Sequence, residues 1–263
     1  NPVLGQIWYN TTSQSLKGEE FASAAWSTGT NLGTARFDIA GAGTQTAALG
    51  FGGYNPTPVQ TATNEYNGSA WTAGGALNTA KRRCGGCGVQ TAGVTAGGVI
   101  GAPNAATTNA TEEYNGSAWT TVNVMSGNSR RSNILLGSQT ASFTTGGSGG
   151  PVTAVEEYDG TNWTAGTSLL LGQSSHSGDG TTSNAWTAGG AAAGSPSGIT
   201  QIWNGTSWSL ASEMTTGRGD AGFSSSQSTQ SGFVAGGGAS LTATEEFELG
   251  TTPAVTASTL TTS

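Results

Sequence analysis

The chain has 263 residues, of which 44 are glycine and only 9% are charged, with 8 basic against 15 acidic side chains for a net charge of −7. The scarcity of helix formers excludes an all-α fold, glycines without a three-residue period exclude collagen, and eight Trp argue against disorder. The acidic balance disfavours a nucleic-acid partner, and no apolar run approaches the ~20 residues of a membrane helix.

From the N-terminus, residues 6–21 read as an entry hairpin, with 1–18 as an attachment segment ahead of a repeat array over 19–250. A Thr/Ser/Ala-rich tail over 251–263 reads as extended. Within the array one motif recurs: Asn-Glu-Tyr-Asn-Gly-Ser-Ala-Trp (64–71), Glu-Glu-Tyr-Asn-Gly-Ser-Ala-Trp (112–119), Glu-Glu-Tyr-Asp-Gly-Thr-Asn-Trp (156–163) and Gln-Ile-Trp-Asn-Gly-Thr-Ser-Trp (201–208). A degenerate copy, Glu-Glu-Phe-Ala-Ser-Ala-Ala-Trp, occupies 19–26. Its final Trp falls at 26, 71, 119, 163 and 208, spacings of 45, 48, 44 and 45 residues.

Further columns keep this register. A basic residue follows most Trp at Arg36, Lys81, Arg130 and Arg218, with Gln173 in the odd unit. Next come Gln45, Gln90, Gln139 and Gln227, with Thr182 in the odd unit. An apolar segment then closes on Gly52-Gly53, Gly97-Gly98, Gly146-Gly147, Gly189-Gly190 or Gly236-Gly237. Each unit therefore predicts four short strands. Strand a follows the basic residue, b ends at Gly-Gly, c carries the acidic-aromatic triplet and d begins at the Trp. Asn-Gly or Asp-Gly between c and d favours a tight hairpin turn, and four strands in ~45 residues is the size of a propeller blade.

These columns resemble the kelch repeat. The resemblance implies a β-propeller with Gly pairs ending strand b and Trp packing between blades, and it implies no single activity. Five a–b segments are present, and the last unit reaches strand c at Phe247 with Thr252 where a Trp would stand. The expectation is five blades, the last completed by the N-terminal strand at Trp26. A six-bladed ring is the alternative.

Nine of the 15 acids lie in the triplets, where the basic column can face them across a blade and order strands a and c. Of the others, Asp38 and Asp220 each stand two residues after the basic column. They form the best carboxylate pair for a glycosidase, which needs two at a defined separation, although Asp at a loop entering a strand equally serves turns. His176, the single histidine, could join Ser174 or Ser175 and Asp179, but local clustering does not make a triad and it reads as a loop residue. Cys84 and Cys87 fall on strand a with no second pair for zinc, and read as two packed thiols or a local disulfide. No catalytic residue, metal site or cofactor is expected.

The Thr/Asn/Gly-rich composition and the opening Gly5-Gln6-Ile7-Trp8-Tyr9-Asn10-Thr11-Thr12 resemble virion proteins of tailed marine phages. That resemblance implies a non-enzymatic structural or attachment part of a fibre, tail or capsid decoration, in the virion or outside cells. It would be present in several copies, beside other virion proteins and host surface glycans, with no membrane insertion. The alternatives are an extracellular lectin-like propeller and a five-bladed glycosidase. The b–c connections differ in length, 13, 16, 11, 13 and 10 residues from the second Gly to the aromatic. Variable loops on a repeated scaffold are where recognition sits, so Tyr54, Asn55 and Asn104 are the expected binding residues.

Overall fold

The computed structural model describes residues 7–10, 15–18 and 29–248, apart from 56–57, 102–105, 128, 148–151, 193–194, 224–230 and 238–243. The chain divides into two units, Asn1–Thr30 and Asn31–Ser263. In the first, Ile7–Asn10 pairs antiparallel with Ser15–Gly18. Trp26 and its triplet lie outside the described residues, as does Asn104.

The second unit is all-β, with no helix among the described residues. Four antiparallel sheets have four strands each, in the order a-b-c-d. Blade one is Ala40–Thr44, Ala47–Phe51, Thr63–Tyr66 and Trp71–Ala73. Blade two is Gly85–Val89, Ala92–Ala96, Thr111–Tyr114 and Trp119–Val122. Blade three is Ile134–Ser138, Ala141–Thr145, Val155–Tyr158 and Trp163–Ala165. Blade four is Ser177–Gly180, Ala185–Ala188, Thr200–Trp203 and Trp208–Leu210. A fifth, three-stranded sheet comprises Gly222–Phe223, Ser231–Ala235 and Thr244–Glu248. The c–d turns hold the expected Asn-Gly and Asp-Gly pairs, and the Asn67, Asn115, Asp159 and Asn204 side chains accept the backbone N–H groups two and three residues on. These are Asx turns.

The basic column and the triplets meet as a repeated knot inside each blade. Lys81 Nζ lies 3.0 Å from Glu112 Oε1, off the line of a hydrogen bond, with both side chains fully buried. Arg130 donates to Glu156 at 2.6 Å and Arg218 to Glu245 at 2.6 Å. Blade one uses Arg36 with Asn64, and blade four a neutral pair, Gln201 donating to Gln173 at 2.8 Å. The acceptors also hold the loop entering strand a. Glu112 takes the N–H groups of Asn78 and Thr79, Glu156 those of Ser126 and Gly127, and Gln201 those of Leu170 and Leu171. The arginines donate in addition to the carbonyl of the first Gly of the pair, Arg36 to Gly52 at 2.9 Å, Arg130 to Gly146 at 3.5 Å and Arg218 to Gly236 at 3.3 Å.

Neighbouring blades are stapled through the Gly pairs. The N–H groups of Gly53, Gly98, Gly147 and Gly190 donate to the carbonyls of Lys81, Arg130, Gln173 and Arg218, each in the following blade, at 2.7–2.9 Å. Both glycines of every pair have positive φ, and a Cβ on Gly146 would stand 2.3 Å from Gln173 O, so neither the conformation nor the space admits a side chain.

Among the described residues the core forms four clusters, each between two successive blades. Phe51 and Leu49 of blade one pack with Tyr114 and Trp119, and Val94 with Leu135, Tyr158 and Trp163. Phe143 packs with Trp203 and Trp208, and Trp186 with Val234 and Phe247. The Trp119 and Trp163 indoles also donate to Thr63 and Thr111 of the preceding blade. The Tyr158 hydroxyl donates to Glu113 at 2.8 Å, as Tyr114 does to Glu65. Trp119, Trp163 and Trp208 are buried, in line with the sequence, whereas Trp71 is only half-buried. Phe37 and Ile39 are likewise 51% and 41% exposed, and no core cluster among the described residues joins the fifth sheet to the first.

Candidate functional site

Strand a runs antiparallel to strand b, so its entry, the Gly pair and the variable b–c loop share one end of every blade. At that end a cavity of about 380 Å³ is lined by Asp38–Gly41, Arg83–Gly86, Ser132–Leu135, Ser175–His176 and Asp220–Ala221, the entry segments of all five inner strands.

Its rim is built from one backbone geometry used five times. Asp38, Arg83, Ser132, Ser175 and Asp220 all have φ between 52° and 57°, the left-handed region that non-glycine residues rarely occupy. Their amides form a chain: Asp220 N–H donates to Ser175 O, Ser175 to Ser132, Ser132 to Arg83 and Arg83 to Asp38, at 2.8–3.1 Å. The strained conformation places both an N–H and a C=O in line with the neighbouring blades, and these bonds offset its cost of about 1–3 kcal/mol per residue.

The structure brings Asp38 and Asp220 to the same rim. Asp38 Oδ2 accepts from Arg82 at 2.7 Å and Arg83 at 2.9 Å and is largely buried by them, while Asp220 is exposed. Arg82 also lies over the Tyr54 ring, 4.7 Å from its centroid, and Tyr54 packs edge-on against Phe37. Tyr54 and Phe37 exchange backbone hydrogen bonds at 2.8 and 3.1 Å. Tyr54 is thus anchored where blades one and two meet, and half-buried Asn55 follows it in the b–c loop. The Arg82–Asp38–Arg83 cluster was not legible in advance, because Arg82 and Arg83 stand where the other units carry unlike residues.

His176 lies beneath the rim, with Nε2 2.8 Å from Thr145 Oγ1 of the preceding blade. Burial depresses its pKa to about 3, so the ring is neutral. Ser175 belongs to the rim and Asp179 is buried within strand a, its carboxylate accepting the Gly180 N–H. The same register position holds Asn133 in blade three, whose Nδ2 donates to Thr144 Oγ1 at 2.8 Å, and Cys84 in blade two. Cys84 and Cys87 are free and buried in different clusters, the former with Phe51 and Trp119, the latter with Leu135 and Trp163. Their odd spacing along a strand sends them to opposite faces. Burial raises both thiol pKa values, that of Cys87 to about 12. Among the described residues no three His, Cys, Asp or Glu side chains come together as a metal site.

No protein-family model matches the chain, and no curated protein sequence matches it significantly.

Proposed function

We propose that the chain is a non-enzymatic attachment or decoration module of a phage virion, built on a five-bladed kelch-like propeller. In this reading the N-terminal strand at Trp26 supplies the fourth strand of the fifth sheet. The observation that carries the reading is the use of the titratable groups. The knots engage Lys81, Glu112, Arg130, Glu156, Arg218 and Glu245, and two arginines hold Asp38. What varies instead is the loop set beside the cavity. That division supports recognition on a rigid frame rather than acid–base turnover.

The ligand of that face is a host surface glycan, recognised by Tyr54, Asn55, Asn104 and the cavity rim, with other virion proteins as structural partners. The cavity and its variable loops equally favour an extracellular lectin outside any virion. A glycan array and a glycoside hydrolysis screen test the reading. Binding without turnover is the expected result. Turnover that disappears in Asp38→Asn or Asp220→Asn overturns it in favour of a glycosidase, and association with intact particles separates virion part from free lectin.

A further inference from the structure

The basic side chains of the second unit fall into two sets. Arg36, Lys81, Arg130 and Arg218 lie in the knots, each against strand c of its own blade. The others, Arg82, Arg83 and Arg131, stand on the segments entering strand a of blades two and three, at the cavity end. One carboxylate answers them. Asp38 Oδ2 holds Arg82, whose side chain is 7% exposed, and the Nε of Arg83, whose side chain is 41% exposed. The two Nη groups of Arg83 bond nothing among the described residues, and the half-buried Arg131 side chain makes neither a hydrogen bond nor an ion pair there. The repeat accounts for this. Arg83 N–H donates to Asp38 O at 3.1 Å and Ser132 N–H to Arg83 O at 2.8 Å, so Asp38, Arg83 and Ser132 share one register position, and Arg82 and Arg131 share the one before it. Where Arg82 finds Asp38 across the blade boundary, the position across from Arg131 is Arg83. Three guanidinium groups against one carboxylate leave a local excess of positive charge on a chain of net charge −7. Asp220, the other acid of the rim, stands in the fifth sheet beside blade four.

We propose that the glycan taken by this face is acidic, its carboxylate or sulfate ester held between Arg83 and Arg131. The inference rests on the reading that the cavity face binds a glycan, and it names the class. Two guanidinium groups at neighbouring positions repel one another, and an anion between them replaces that repulsion by two attractions. Their planar forks of N–H groups match the paired oxygens of a carboxylate or sulfate. Asp38 fixes Arg83 by its Nε and leaves both Nη groups for the ligand, so this arm is oriented beforehand and little ordering is left to the binding step. Ser132 follows Arg131 and lines the cavity, and its hydroxyl bonds no other group among the described residues. It supplies a further donor. Because the chain as a whole repels anions, selectivity for an acidic sugar comes from this contact and not from the general field.

An array probed with the full chain tests it, each uronic-acid, sialic-acid or sulfated oligosaccharide printed beside its uncharged parent, carboxyl-reduced or desulfated. The acidic members bind, and their parents bind at least about tenfold more weakly, the equivalent of ~1.4 kcal/mol. The carboxylate and sulfate arms identify the group recognised. Arg131→Gln lowers affinity for the acidic probes by a similar factor without lowering the thermal melt, because the side chain bonds nothing within the described protein. Arg131→Lys keeps the charge without the fork and recovers part of the loss. Parents bound as tightly as their acidic partners, or acidic binding indifferent to both Arg131→Gln and Arg83→Gln, overturns the proposal and leaves the glycan reading standing. An array on which no glycan is bound overturns both.

Discussion

Gln201 donates to Gln173 at 2.8 Å in blade four, in the place where Lys81 meets Glu112 at 3.0 Å in blade two. The neutral pair holds the same loop by the same two N–H groups, so the knot needs hydrogen-bond acceptors at that point rather than charge. Lys81→Gln alone leaves Glu112 buried and uncompensated, and chemical denaturation should register a loss of about 3–5 kcal/mol. The double variant Lys81→Gln/Glu112→Gln reproduces the blade-four pair and should recover most of it.

The histidine makes stability depend on pH. In the unfolded chain His176 titrates near 6.5, whereas burial holds the folded value near 3. Above 6.5 both states are neutral and stability is complete. As pH falls from 6.5 towards 3 the unfolded chain takes up a proton that the folded chain refuses, and stability drops by up to about 1.4 kcal/mol per pH unit. His176→Asn, which copies Asn133 of blade three, should flatten the fall of melting temperature between pH 6.5 and 4.

Replacing Trp119, Trp163 or Trp208 by Ala should cost about 3–5 kcal/mol each, through lost packing between blades. Denaturant midpoints will show it. Trp26→Ala should cost a comparable amount if its strand closes the fifth sheet, and next to nothing if it does not.

The two thiols should resist a disulfide-exchange reagent at pH 8 in the folded protein, since burial keeps both protonated and out of reach. Two equivalents should react once the chain is unfolded. Fast labelling of Cys87 in the native state would contradict the packing around it.

Much of the scaffold was legible because its chemistry is tied to residue type. Only glycine fits at Gly146, where a Cβ would meet a carbonyl, and only a long donor fits at Arg130, which reaches Glu156 and the carbonyl of Ala154. The rim of the cavity was not legible as a ring, because the shared feature is a backbone angle carried by Asp38, Arg83, Ser132, Ser175 and Asp220, three different types in five places. The half-burial of Trp71 escaped notice for another reason. Its motif is identical to that of Trp119 from the Asn-Gly turn onward, and its exposure depends on what lies against blade one rather than on its own neighbours in sequence.

Each Gly-pair staple joins a blade to the next one along the chain, at positions such as Gly53 to Lys81 and Gly98 to Arg130. Force applied to the two ends therefore meets these links in series rather than in parallel. Pulled in an optical trap, the array should give way in steps, one blade at a time, each releasing roughly 45 residues, or about 150 Å of extended chain. A body that yields this way dissipates a sudden load before the whole fold is lost.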